Sequence, residues 1–224
     1  MFSFCKEREE DMINVEHLGL TIKKKQILND INLTFKEGNI YGLVGNNGCG
    51  KTMLMKSISG FVKPTSGRVL CNGKEVGKDI DYLADTGIII ETPQFISYYS
   101  GYKNLYLLSK VRNKIGKDRV RESLQLCGLD PDLRLPVRKY SLGMRQRLGI
   151  AQAIMEDQKI LILDEPMNGL DIDGISEMRD LLLKLKDEGR LIILASHNSE
   201  DIRILCDVII KMDKGRVIGL KDET

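Results

Sequence analysis

No run of this 224-residue chain approaches 18 consecutive apolar residues, so the sequence offers no membrane-spanning helix. Its start, MFSFCKEREED, is not a signal peptide, and the chain is expected to stay in the cytoplasm. Charge of either sign is nearly balanced at +2, which gives no electrostatic case for nucleic acid or an anionic lipid surface. The run Lys23-Lys24-Lys25 reads as a solvated turn rather than a binding patch. Five cysteines form an odd set without a CxxC pair, which argues against structural zinc and for a reducing compartment. Cys49 lies inside a glycine-rich loop, where a disulfide would obstruct a ligand. Internal repeats and low-complexity segments are also missing.

What is there is an ordinary globular composition, 42% hydrophobic and 29% charged, long enough for one domain or one domain with an inserted subdomain. Residues 1–11 are charged and patternless, a loose tail. Alternation at Ile13–Glu16 and Ile27–Phe35 predicts strands of an antiparallel edge. Short apolar runs at Ile40–Val44, Ile160–Leu163, Leu191–Ala195 and Val208–Ile210 alternate with helical patterns. That order predicts an α/β core with a parallel sheet covered on both faces. Residues 92–156 differ in texture, with helical spacing such as Val120, Leu124 and Cys127 stopped by Gly128. They are expected to form a helical insertion between core segments 12–91 and 157–224.

The stretch GNNGCGKT, residues 45–52, meets the pattern GxxxxGK[ST] between a predicted strand and a predicted helix. Glycines let backbone N–H groups converge on phosphate oxygens, and the helix N-terminus adds roughly half a positive charge. Gly45, Asn46, Asn47, Gly48, Cys49, Gly50, Lys51, Thr52 and Met53 are therefore the candidate phosphate cradle. Lys51 reaches the β- and γ-phosphates, and the Thr52 hydroxyl is a candidate Mg2+ ligand. Asp164 ends the buried run Ile160–Leu163, the strand position at which open α/β sheets bind ligands, and is the second candidate metal ligand. Glu165 follows at once and is the candidate base for an attacking water. His197, just past another strand end, is placed to hydrogen-bond a γ-phosphate or that water.

Together these motifs resemble the ATP-binding cassette (ABC) ATPases, the nucleotide-hydrolysing subunits of ABC transporters. The resemblance runs from about residue 12 to 220 and includes YSLGMRQRL (140–148), ILILDEP (160–166), NGLD (168–171) and His197 in the family's order. It implies a P-loop NTPase fold, ATP and Mg2+, and a head-to-tail dimer, homo- or heterodimeric. In that dimer Ser141 and Gly143 of one chain close on the γ-phosphate held by the other, and Asp171 joins the nucleotide-binding set. It also implies a separate polytopic permease, which would hold the chain on the inner face of the membrane. Tyr98, Tyr99, Tyr102 and Tyr106 cluster where such docking is expected, although a helical core explains them equally well.

The departures from the family pattern carry information. YSLGM replaces LSGGQ, so Leu142 stands for a glycine and Met144 for a glutamine. In GIIIETPQF, Glu91 stands where the family has a glutamine and is assigned contact with Mg2+ or water, with Gln94 three residues on as the alternative. Thr21 or Ile22 takes the place of the aromatic residue that stacks adenine, which predicts weak discrimination between ATP and GTP. Glu91, YSLGM and ETPQF are most similar to the branch that exports bacitracin- and lantibiotic-type antimicrobial peptides. Two rival readings stand beside this one. The first is a soluble cassette ATPase acting on DNA or in translation, disfavoured by one short cassette without long arms. The second is a non-catalytic nucleotide-binding module, disfavoured by Glu165 and His197.

Overall fold

The structure, a computed structural model, describes residues 11–222. The loose tail expected for residues 1–11 lies outside the described residues except for Asp11, which belongs instead to the first strand. That strand, β1 (Asp11–Ile22), folds back on β2 (Lys25–Lys36) through a turn at Lys23 and Lys24, both exposed and left-handed. Alternation along β2 buries Ile31, Leu33 and Phe35 and exposes the residues between them, so one face of the hairpin is apolar. Two strands absent from the sequence expectation, β4 (Ser66–Cys71) and β5 (Lys74–Glu75), complete an antiparallel sheet of order β2-β1-β4-β5.

The second sheet has the order β10-β9-β3-β8-β7-β6. Its members are β3 (Ile40–Val44), β6 (Thr86–Ile89), β7 (Ile160–Asp164), β8 (Leu191–Ala195), β9 (Val208–Asp213) and β10 (Arg216–Asp222). All pairs are parallel except β9–β10. Both faces are covered, which is why these strands read as nearly unbroken apolar runs. Ile160, Ile162, Leu191 and Ile193 face the hairpin sheet and α1 (Lys51–Ile58). Leu161, Leu163, Ile192 and Leu194 face α5 (Ile172–Asp187), α6 (Ser199–Leu205) and the helices between β6 and β7.

Those intervening helices are α2 (Gly101–Arg112), α3 (Lys117–Leu126) and α4 (Leu142–Ile154), with a 3-10 turn at Val137–Lys139. Gly128, at φ 69, follows the end of α3 where the sequence placed its stop. Leu105, Val120, Leu124 and Leu148 join the same buried cluster as the sheet residues. Replacing one such leucine by alanine costs about 2–5 kcal/mol. The cysteines at 49, 71, 127 and 206 are free thiols, and burial pushes those of Cys127 and Cys206 up to about 12.

Register decides where the chemistry collects. Leu43 and Asp164 both pair with Ala195, so three neighbouring strands end at one level. The loops that leave this edge carry Gly45–Gly50, Glu165–Leu170 and Ser196–Asn198.

Candidate nucleotide site

The loop after β3 can follow its path only with glycine at two points. Gly45 has φ 154, and a Cβ there would lie 2.2 Å from the Met212 carbonyl oxygen. Gly50, at φ 114, precedes α1, and a Cβ there would meet Leu28 of β2 at 2.8 Å. No side chain caps α1 and no acidic residue occupies its first turn, so its leading N–H groups face the cleft with the positive end of the helix dipole. The cleft has a volume of about 580 Å3. Asn47, Gly48, Gly50, Lys51, Thr52 and Met53 line it. Gly45 and Asn46, both exposed, and the buried Cys49 are not among the lining residues. The Asn46 carbonyl accepts from the Cys49 N–H at 3.1 Å, and the Cys49 thiol is buried against the core. Lys51 curls over the loop and donates from Nζ to the carbonyls of Gly45 at 2.6 Å and Asn46 at 3.4 Å.

Thr52 Oγ1 donates to Asp164 Oδ2 at 2.8 Å, which brings two of the three expected metal ligands together across 112 positions of sequence. A hydroxyl and a carboxylate are hard oxygen donors, and Mg2+ is held by one or two such groups with waters and phosphates completing the octahedron. This hydroxyl–carboxylate pair therefore fits the ion. Glu91 also lines the cleft, at φ 64, but its carboxylate accepts from Lys56 Nζ of α1 at 2.5 Å. Gln94 is exposed, its side-chain amide 3.4 Å from the Thr92 carbonyl, and lies outside the cleft wall.

Glu165 is held on three sides. Its N–H donates to the Ala195 carbonyl at 2.9 Å, and its Oε2 lies 2.8 Å from His197 Nδ1. Its own carbonyl accepts from Gln146 Nε2 at 3.2 Å. The sequence reading brought Glu165 and His197 to one edge and missed Gln146, which lines the cleft together with Thr92, Leu142 and Asn168. Of the β1–β2 hairpin, Ile27 lines the cleft, and Thr21 and Ile22 are not among its lining residues.

Ser141, Gly143 and Asp171 are not among the residues lining this cleft. They line a second depression of about 470 Å3 with Leu129, Arg147 and Leu170. Ser141 Oγ caps α4 by accepting from the Met144 N–H at 3.1 Å, and Asp171 caps α5 by accepting from the Gly174 N–H at 3.1 Å. Leu142 is exposed and packs on Gly169, where a Cβ would come within 2.5 Å of its side chain.

Comparison with known proteins agrees with this geometry. Residues 28–168 match the ABC transporter family. The uncharacterized ABC transporter ATP-binding protein YybJ of Bacillus subtilis (strain 168) is 43% identical over 206 residues, covering 92% of this chain and 94% of that protein. The bacitracin transport ATP-binding protein BcrA of Enterococcus faecalis is 44% identical over 211 residues, covering 93% of this chain and 68% of that protein. Among solved structures, cbiO1 from Clostridium perfringens, part of the ABC transporter complex cbiONQ, superposes with a TM-score of 0.81 at 33% identity. It covers 95% of this chain and 89% of its own. The chain belongs to the ABC transporter family, as an ATP-binding subunit with ATPase activity.

Proposed function

We propose that this ATPase drives the export of a membrane-active peptide through a separate polytopic permease that holds it at the inner face of the cell membrane. Among the described residues no helix is long and apolar enough to cross a membrane, so the passage itself needs another chain. The peptide class is carried by similarity to the bacitracin transport protein, together with Glu91 and the YSLGM variant of the signature.

The observation that carries the hydrolytic mechanism is the Glu165–His197 contact at the mouth of a phosphate cradle. Lys51 and the first-turn amides of α1 bind the phosphates. Thr52 and Asp164 would hold Mg2+, which when bound would neutralise charge developing on the phosphate oxygens. Glu165 accepts the proton of the attacking water, and His197 holds that carboxylate in place. Ser141, Gly143 and Asp171 address the nucleotide bound by a second chain. ATP then favours the closed dimer through a contact shared by both subunits, and hydrolysis removes that contact. Glu91 reports on the site through Lys56. With Ile27 as the wall on the hairpin side, the base meets an aliphatic surface, so ATP and GTP are discriminated weakly.

Permease docking falls on the exposed apolar side chains Ile96, Tyr98, Leu107, Leu108 and Val111, on and just before α2. Tyr98 is 66% exposed, whereas Tyr102 and Tyr106 stack at 5.9 Å and pack on the helical core. The test is deletion of this gene with that of its permease, followed by challenge with a panel of membrane-active peptides. Raised sensitivity to at least one peptide is the expected outcome; unchanged sensitivity across the panel contradicts the export reading.

A further inference from the structure

We infer that Gln146 is a positioning residue that ties the base Glu165 to the helix carrying Ser141. Glu165 sits at φ 51, a left-handed conformation that a non-glycine residue keeps only when its surroundings hold it. Two of its restraints, Ala195 and His197, come from β8 and the loop that follows it. Only Gln146 reaches it from α4. A carbonyl oxygen offers lone pairs alone, so the amide nitrogen of Gln146 must face it. Gln146 is 8% exposed, and the Glu165 carbonyl also accepts from the Asn168 N–H at 3.2 Å, so losing the Gln146 donor removes the one of its two partners that comes from α4.

The helix touches two loops at three points along one side. Leu142 lies over Gly169, Gln146 bonds Glu165, and Gly149 packs on Pro93, whose Cγ lies 2.7 Å from where a Cβ of Gly149 would stand. Positions 142, 146 and 149 share a helix face by their spacing, so these contacts belong to one surface. Of the three, the Gln146 contact alone is a hydrogen bond. A displacement imposed at the Ser141 end of α4 is therefore delivered to the base through Gln146. This inference rests on the proposed two-chain arrangement, in which Ser141 addresses the partner's nucleotide. The occupancy of one site is then sensed at the base of the other.

The test compares the full-length wild type with Gln146→Met, which keeps the length and loses the donor, and Gln146→Asn, which keeps the amide one carbon short. Steady-state ATP hydrolysis, equilibrium nucleotide binding and thermal melting are measured for each. Both variants are expected to lose about tenfold in kcat, as befits one missing hydrogen bond. Nucleotide affinity should stay within about twofold, and the sigmoidal dependence of rate on ATP should become hyperbolic. Either variant suffices if the other does not melt cooperatively. Wild-type kcat and sigmoidicity in a folded variant would overturn the role of Gln146 and leave the two-chain reading intact. A hyperbolic wild type that never dimerises would overturn both.

Discussion

The phosphate cleft and the face at the N-terminus of α4 are both helix N-termini that could attract an anion, yet they differ in what surrounds them. At the cleft, the uncapped amides, the Lys51 ammonium and the Thr52 hydroxyl of α1 meet the carboxylates of Asp164 and Glu165 at the end of β7. At the other face, the hydroxyl of Ser141 is turned back to cap its own helix, and Arg147 is engaged by the Cys127 carbonyl at 2.9 Å and by Glu177 at 2.7 Å. In the proposed mechanism the first region supplies the groups that bind the phosphates and activate water. The second supplies contacts without a cradle, and such a half-site acquires a purpose only against the cleft of another chain.

Breaking the cleft should have the larger effects. Glu165→Gln removes the base and is expected to cut turnover by roughly 10²–10⁴-fold while nucleotide binding persists, as a phosphate-release assay beside a titration would show. Lys51→Ala removes a charge-assisted contact of about 1.5–3 kcal/mol, so the equilibrium dissociation constant for ATP should rise about 10- to 100-fold. Breaking the other face sharpens the contrast. Ser141→Ala should leave nucleotide binding to the isolated chain nearly unchanged, lower turnover about tenfold, and cost about 1 kcal/mol of stability through the lost cap. A change in affinity as large as that of Lys51→Ala would place Ser141 in the cleft of its own chain and erase the distinction.

The smallest effect lies outside both regions. Lys114, hydrogen-bonded to Asp85 at 2.8 Å, holds that carboxyl below the usual carboxylate range; Arg112 assists and partial burial opposes. A depressed carboxyl stabilises the fold above its unfolded pKa and loses that contribution as the pH falls through the folded pKa. Asp85 is half exposed, so Asp85→Asn should cost less than about 1 kcal/mol near neutral pH. That difference should vanish in acid, as melting curves across pH would record.

The cleft was legible in the sequence because its parts are contiguous: a glycine loop between strand and helix, and an acidic pair ending an apolar run. Spatial convergence followed from the rule that parallel strands end at one level. The antiparallel sheet was read only in part. β4 opens with Ser66-Gly67-Arg68 and β5 spans two residues, too short to show a period. β10, Arg216–Asp222, was missed because polar ends and Gly219 interrupt its alternation. Ile27 and Gln146 escaped for a different reason. Each reaches the site through tertiary packing: Leu28, the neighbour of Ile27, crowds the P-loop at Gly50, and α4 returns to the strand edge at Glu165. Periodicity marks a buried face, but it does not say which loop that face will touch. The pairing of Glu91 with Lys56 is hidden likewise, since 35 residues separate the partners.

The central claim is that each nucleotide is gripped by two chains at once. Light scattering of the Glu165→Gln protein with ATP and Mg2+ tests it most directly, because the variant binds the nucleotide without consuming it. A mass of two cassettes with ATP, reverting to one cassette with ADP, is the predicted result. A mass of one cassette with ATP at every protein concentration tried would contradict the account.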